Sequence, residues 1–191
     1  MNGPGDFLQI LIKKLDQHRI PYMLSGSVSS SLHGHPRATK DVDIIIEPTE
    51  KQLFSFVESL GEDYYVSIEA VRNAFANKSM FNIVDKEMSW KADFIIRKDK
   101  PFSYQEFKRR RTANIEGLKV WVTSPEDIIL SKLEWAKDSR SEQQFRDALG
   151  VAIAQWNNLE LDYLHNWAEQ LKLKSSLEEL LEQAKKLLEP K

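Results

Sequence analysis

The chain has 191 residues, which suit one domain or a domain with a helical extension and are enough to bury a hydrophobic core. Hydrophobic residues make up 41% and charged residues 29%, and the formal net charge of −2 argues against binding nucleic acid through bulk positive charge. The sequence contains no cysteine, which excludes disulfides, thiolate catalysis and cysteine-ligated zinc.

The N-terminal segment is predicted to form an amphipathic helix. Asp6 can cap it, and apolar residues follow at helical spacing until Pro21. The segment lacks the small-residue cleavage site of a signal peptide. No apolar run in the chain approaches the roughly 20 residues that cross a bilayer. We therefore expect a soluble, cytoplasmic protein.

Short strands and helices alternate in the next part of the chain. "YMLSG" is predicted to be a buried strand, residues 27–33 a short helix, and "DVDIIIE" a second strand. Thr49 and Gln52 form a capping-box pattern at the start of a helix that ends before Gly61, and another helix covers residues 68–75. "MFNIVD" and "WKADFIIR" then read as a strand hairpin.

The character of the sequence changes near residue 122. "ANIEGLKVWV" is predicted to be a strand pair that turns near Gly117, and Ser124 with Pro125 and Asp127 begins a helix. Helical patterns fill the remaining sequence. We expect an α/β fold (or α+β) with a mixed sheet and helices over residues 1–122, followed by a helical C-terminal region, 123–191, packed on it.

Two acidic residues stand at the beginning of the strand "DVDIIIE". Because side chains alternate along a strand, Asp41 and Asp43 project from one face, and Val42, Ile44 and Ile46 point from the other face into the core. Two carboxylates held this close repel each other unless a cation offsets their charge. Mg²⁺ suits this position, because it prefers oxygen ligands and often combines one or two carboxylates with substrate phosphates.

A third carboxylate lies on a later strand. In "WKADFII", Asp93 is on the face opposite to the apolar side chains, and it meets the first two acids if the two strands are neighbours. Such a trio can hold two metal ions about 3.5–4 Å apart in phosphoryl or nucleotidyl transfer. Gly26 would let the backbone approach a ligand, and Ser27 opens a helix whose free amides favour phosphate. Ordinary helix capping is the alternative for Gly26 and Ser27.

The stretch "GSVSSSLHGHPRATKDVDIII" resembles the signature of the nucleotidyltransferase superfamily, which has the fold of DNA polymerase beta. The chain looks most like the minimal bacterial type related to the toxins of type IV toxin–antitoxin systems. The resemblance extends from about Met23 to Gly150. In the helical part, "EQQFRDALG" matches only the first half of the usual Arg-Asp…Asp pattern.

The resemblance implies roles for individual residues. Gly26 and Ser27 match the phosphate-binding pair, Asp41 and Asp43 the metal ligands, and Asp93 the third carboxylate, which orients or deprotonates the attacking hydroxyl. The implied activity moves a nucleoside monophosphate from a nucleoside triphosphate (NTP) to an acceptor hydroxyl of RNA, protein or a small molecule, with two Mg²⁺ ions as cofactors. One alternative is an inactive nucleotide-binding module. The other is a toxin–antitoxin component that acts through an antitoxin-like protein partner.

Several basic residues have two possible roles. Arg37 and Lys40 either balance triphosphate charge or belong to a solvated loop. Lys132 either reaches a phosphate, as the resemblance suggests, or extends to water over a buried stem. The run Lys108–Arg111 either contacts an RNA acceptor or is a solvated helix end. For the adjacent Arg146 and Asp147, we favour an interhelical salt bridge.

Overall fold

The computed structural model describes residues 4–34 and 41–189, which form two compact units. The first unit contains the described residues of Met1–Ser25 and Thr39–Val122, and the second those of Gly26–Ala38 and Thr123–Lys191. This grouping differs from a single division at residue 122, because it includes the short segment after Ser25 with the C-terminal helices.

The first unit is built on a mixed sheet of seven strands, counted over the described residues. The strands are β1 Tyr22–Leu24, β2 Asp41–Ile46, β3 Tyr64–Tyr65, β4 Met80–Asp85, β5 Lys91–Ile96, β6 Arg111–Ile115 and β7 Leu118–Val122. Its helices are α1 Pro4–Gln17, α3 Glu50–Ser59, α4 Ile68–Asn77 and α5 Pro101–Lys108, and the second unit supplies α2 Gly26–His33. The remaining helices of the second unit are α6 Pro125–Ser139, α7 Glu142–Ala154, α8 Leu161–Gln170 and α9 Lys174–Leu188.

The order of the strands is β3-β4-β5-β2-β1-β7-β6. The two predicted hairpins, β4 with β5 and β6 with β7, are both present and antiparallel. In the centre of the sheet, β2 pairs antiparallel with β1 and parallel with β5. The sequence pattern did not predict the parallel pairing of β2 with β5. This pairing determines which residues of the two strands lie opposite each other.

One face of the central strands forms the hydrophobic core of the first unit. Ile44, Ile46 and Phe94 are fully or almost fully buried, as the alternation of the sequence predicted. The Phe94 ring lies 5.4 Å from the ring of Phe56 on α3 and 5.3 Å from that of Phe81 on β4, measured between centroids. The burial of these large apolar side chains stabilises the sheet and leaves the alternate side chains on its other face.

Helix boundaries agree with most of the predicted caps. The Thr49–Gln52 capping box is complete, and Ser124 accepts the backbone N–H of Asp127 at the start of α6, where Pro125 is the first helical residue. Asp6 is not the N-cap of α1, because this helix already begins at Pro4 and Asp6 lies in its first turn. Helix α5 and the two-residue strand β3 were not predicted.

The second unit packs four C-terminal helices with α2. Helix α7 contacts α6, α9 and α2, and α8 contacts α6 and α9. Leu164, Leu177 and Leu180 are fully buried among them, so the face of α9 that carries Leu177 and Leu180 serves the packing of this unit. Within the described residues, no helix combines the length and apolar character that a bilayer crossing requires.

Candidate active site

Asp43 and Asp93 are register partners, that is, they lie directly opposite each other on the parallel strands β2 and β5. Neighbouring strands are about 4.8 Å apart, so both carboxylates rise from adjacent points on the same face of the sheet. Asn82 on β4 is the register partner of Asp93 on its other side. Its side-chain amide donates a hydrogen bond to Asp93 Oδ1 at 2.5 Å.

Asp41 and Lys91 form the next register pair on the same face, two residues before Asp43 and Asp93. The Lys91 ammonium donates to Asp93 Oδ2 at 3.1 Å, and its distance from Asp93 Oδ1 is also 3.1 Å. It lies 3.7 Å from Asp41 Oδ2. One cation is therefore held between carboxylates from two strands.

The charges around Lys91 act on its protonation. Burial by itself would lower the pKa of the Lys91 ammonium, but the hydrogen bond and charge of Asp93, together with the charges of Asp41 and Asp43, outweigh burial and raise that pKa above its usual range. Lys91 therefore remains charged at neutral pH. The exposed fraction of the side chain is 53% for Asp41 and 13% for Asp93, so the group extends from solvent to a nearly buried position.

The carboxylate oxygens of Asp41, Asp43 and Asp93 are chemically suitable ligands for a divalent cation. Carboxylate oxygens from two adjacent strands are the ligands that Mg²⁺ prefers, and their negative charge exceeds the single positive charge of Lys91. As the side chains stand, no three histidine, aspartate or glutamate residues in the described ranges are arranged to hold a metal. The Lys91 ammonium lies among the same oxygens, so these residues fit a cation that competes with Lys91 or displaces it.

Gly26 and Ser27, the predicted phosphate-binding pair, begin the second unit. Gly26 has a φ of +56°, in the left-handed region that favours glycine, and it is the first residue of α2. Ser27 follows in the first turn, and its carbonyl accepts the Ser30 hydroxyl at 3.1 Å. Arg37 and Lys40, which the sequence assigned to triphosphate or to a loop, lie outside the described residues.

Lys132 also belongs to the second unit, where its side chain is 2% exposed. Its ammonium donates to Asp147 Oδ2 at 3.1 Å, and Gln143 donates to Asp147 Oδ1 at 2.7 Å. This ion pair joins α6 and α7, so the interhelical salt bridge predicted for Asp147 is confirmed. Arg146 instead lies 3.9 Å from Glu142 on its own helix. The alternative that Lys132 extends to water is wrong, because the whole side chain is buried.

The basic run Lys108–Arg111 extends from the last residue of α5 to the first residue of β6. The Arg110 guanidinium stacks over the rings of Phe107 and Trp121, at 4.4 and 5.1 Å from their centroids, and donates to the Phe107 carbonyl. Arg110 therefore has a packing role in the first unit. Lys108 ends α5 and is exposed, which is the arrangement expected of a solvated helix end.

Sequence reasoning did not identify Asn82 and Lys91 as members of the group around Asp93. Lys91 could have been found, because it lies two residues before Asp93 and therefore on the same face of the strand. Asn82 requires the hairpin register, which the sequence does not specify.

Several solved structures have a similar arrangement of strands and helices. The fold is similar to that of ANT(2")-Ia in complex with adenylyl-2"-tobramycin, with a TM-score of 0.58 and 14% identity over 87% of this chain and 95% of that chain. It is also similar to the lincomycin-bound lincosamide antibiotic adenylyltransferase LnuA, with a TM-score of 0.54 and 13% identity over 79% of this chain and 98% of that one.

A third structure has the same fold, an antigenic nucleotidyltransferase-like protein from Paracoccidioides brasiliensis. Its TM-score is 0.54, with 19% identity over 91% of this chain and 89% of that one. Among curated proteins, no sequence matches the chain. The family model described as "Nucleotidyltransferase of unknown function (DUF6036)" matches residues 6–184, and the chain belongs to this family of nucleotidyltransferases.

Proposed function

We propose that the protein is a metal-dependent enzyme that transfers a nucleoside monophosphate from an NTP to an acceptor hydroxyl. The observation that carries this proposal is the register pairing of Asp43 with Asp93, with Asp41 on the same face of the sheet. Three carboxylates from two separate parts of the sequence thus share one surface. An ordinary solvent-exposed sheet edge does not require this convergence.

In the proposed reaction, the acceptor oxygen attacks the α-phosphorus of the NTP. A bond forms between these two atoms, the bond from the α-phosphorus to the bridging oxygen of the β-phosphate breaks, and pyrophosphate leaves with the electron pair. Asp93 accepts the proton of the hydroxyl. Asn82 and Lys91, which donate to its oxygens, hold the Asp93 carboxylate in a fixed orientation.

Asp41 and Asp43 are the proposed ligands of divalent cations, with Asp93 as a third ligand. A bound Mg²⁺ ion would withdraw charge from the phosphates and stabilise the leaving pyrophosphate. As the resemblance implies, Gly26, Ser27 and Lys132 bind the triphosphate in this proposal, with Arg37 and Lys40 as further cations. For Lys132, such a role requires it to release Asp147.

Candidate acceptors are suggested by the ligands of solved structures with a similar fold. The solved structures with this fold include proteins whose ligands are adenylyl-2"-tobramycin and lincomycin. We infer from the adenylyl group that ATP is the first donor to test. Small hydroxyl-bearing molecules are then candidate acceptors beside RNA and protein.

The test is incubation with each of the four labelled NTPs, Mg²⁺ and either total RNA or a lysate fraction, followed by measurement of pyrophosphate and of label on the acceptor. The variants are Asp41→Ala and Asp43→Ala, and the control is Asp63→Ala, which changes an exposed aspartate of the same unit. Loss of transfer in both variants with an unchanged control supports the proposal. Transfer retained in both would overturn it, whereas NTP binding without pyrophosphate release would favour a nucleotide-binding module.

A further inference from the structure

Lys91 is a cation built into the acidic surface of β2 and β5. Its side chain is 35% exposed, and its ammonium contacts both oxygens of Asp93 and lies 3.7 Å from Asp41. It therefore lies among the same oxygens that the proposed function assigns to a divalent cation. Two cations on one set of carboxylates repel each other, and each lowers the affinity of the other.

We propose that Lys91 is an internal counter-cation that sets the affinity of the acidic surface for divalent metal. Without nucleotide, the ammonium neutralises part of the carboxylate charge and keeps the affinity for metal low. A metal ion that arrives with triphosphate brings phosphate oxygens as extra ligands, so it competes with Lys91 more effectively than the ion alone. This inference rests on the proposed function, because it concerns the same carboxylates.

The partial exposure of Lys91 is important to this role. A fully buried lysine would be part of the fold, but a side chain that is one third exposed can turn its ammonium to solvent when a metal ion binds. Lys91 is the register partner of Asp41 and lies two residues before Asp93 on β5, so it is adjacent to proposed ligands on both strands. The variant Lys91→Met retains the length of the apolar stem and removes the ammonium, with its charge and its hydrogen bond to Asp93.

The experiment measures Mn²⁺ binding to the full chain by the loss of the free-ion signal in electron paramagnetic resonance, without nucleotide. The variants are Lys91→Met and, as a second neutral side chain, Lys91→Gln, and the control is Lys119→Met, an exposed lysine of β7 in the same unit. Far-UV circular dichroism and thermal melting establish that each variant is folded. We expect both Lys91 variants to bind Mn²⁺ at least about tenfold more tightly than the wild-type chain, because removal of one adjacent positive charge has an effect of this order.

Two outcomes would overturn the inference. One is an unchanged or weaker Mn²⁺ affinity in both folded Lys91 variants. The other is tight binding that persists when Asp43→Asn is added to Lys91→Met, because the ion would then lie elsewhere.

Nucleotide transfer is assayed separately on the same proteins. Tighter Mn²⁺ binding in the Lys91 variants without transfer from any NTP would support the role of Lys91 and contradict the proposed reaction. Transfer by the wild-type chain with no gain of Mn²⁺ affinity in the variants would support the proposed reaction and contradict the role of Lys91.

Discussion

Asp43 and Asp93 are register partners on two parallel strands that are 50 residues apart in the chain. The pairing depends on the whole β2–β5 register, in which the core residues Ile44 and Phe94 are partners as well. A slip of one residue would bury a carboxylate and expose a core side chain, because side chains alternate. The same packing that stabilises the core therefore positions the two acids together.

The first prediction concerns Asp93→Asn. Transfer should fall by roughly two to four orders of magnitude, because the proposed base can no longer accept a proton. The fold should persist, since an asparagine oxygen can still accept the Asn82 amide and Lys91 keeps Asp41 as a partner. Initial rates at saturating NTP and the melting temperature are measured together.

Asp63→Asn is the matched control for Asp93→Asn, because Asp63 is exposed in the same unit. A wild-type rate in a folded Asp93→Asn protein would remove Asp93 from the mechanism. A large drop in melting temperature would instead indicate that Asp93 is chiefly structural.

The second prediction concerns the buried ion pair between Lys132 and Asp147. Replacing Asp147 by Asn leaves the Lys132 ammonium buried without a full charge partner, and such a loss destabilises proteins by about 3–5 kcal/mol. Replacing Lys132 by Met likewise removes the ammonium that pairs with the buried Asp147 carboxylate. Urea unfolding should therefore show large losses for each single variant and a smaller loss for the double variant than the two losses added together.

Arg146→Met is the control for the ion pair, because the Arg146 side chain is 66% exposed and its partner Glu142 is on the same helix. Its free energy of unfolding should change by less than about 1 kcal/mol. Additive losses from Lys132 and Asp147 would contradict a coupled pair.

The third prediction concerns Gly34, which follows α2. A Cβ atom at this position would lie 2.8 Å from the backbone nitrogen of Val151 and 2.9 Å from the carbonyl carbon of Gly150 on α7. Because backbone atoms cannot move aside as a flexible side chain can, Gly34→Ala should destabilise the second unit by about 1–3 kcal/mol. The measurement is thermal or urea unfolding.

Gly61→Ala provides the comparison for Gly34→Ala. Nothing lies within 4 Å of a Cβ atom at Gly61, but its φ is +73°. Only backbone strain, about 1–2 kcal/mol, should appear there. If Gly34→Ala is neutral, the close approach of the two backbones is not a constraint on the fold.

The sequence predicts features that depend on local pattern, but it does not predict those that depend on the pairing of distant strands. Strand alternation alone identified the faces of Asp41, Asp43 and Asp93, and Gly117 indicated the turn of the second hairpin. The parallel β2–β5 pairing could not be read from the pattern, since it depends on the packing of the whole sheet. Asn82 was missed because its meeting with Asp93 depends on the register of the β4–β5 hairpin, which the sequence does not specify either.

The short elements and close contacts were harder to predict. Strand β3 has two residues, too few to show a period, and α5 is only eight residues long. The contact of Gly34 with the α7 backbone could not be predicted, because a glycine after a helix is common whether or not another backbone lies against it. Helices of the C-terminal region were predicted because their apolar spacing is long and regular.

The last prediction concerns stability at alkaline pH. Burial and the nearby charge of Asp16 raise the pKa of Tyr22 to about 12, although a backbone contact with Trp121 acts in the opposite direction. An unfolded chain loses this proton near pH 10, so above pH 10 the unfolded state binds fewer protons than the folded state and stability falls as pH rises toward 12. The ionisation of Tyr22 should thus lower the free energy of unfolding by about 1.4 kcal/mol by pH 11.

Urea unfolding at pH 8 and pH 11 checks this prediction. The loss of stability between the two pH values should be smaller for Tyr22→Phe than for wild type, whereas Tyr65→Phe, which alters an exposed tyrosine, should follow wild type. Equal losses in all three proteins would mean that Tyr22 ionises alike in the folded and unfolded states.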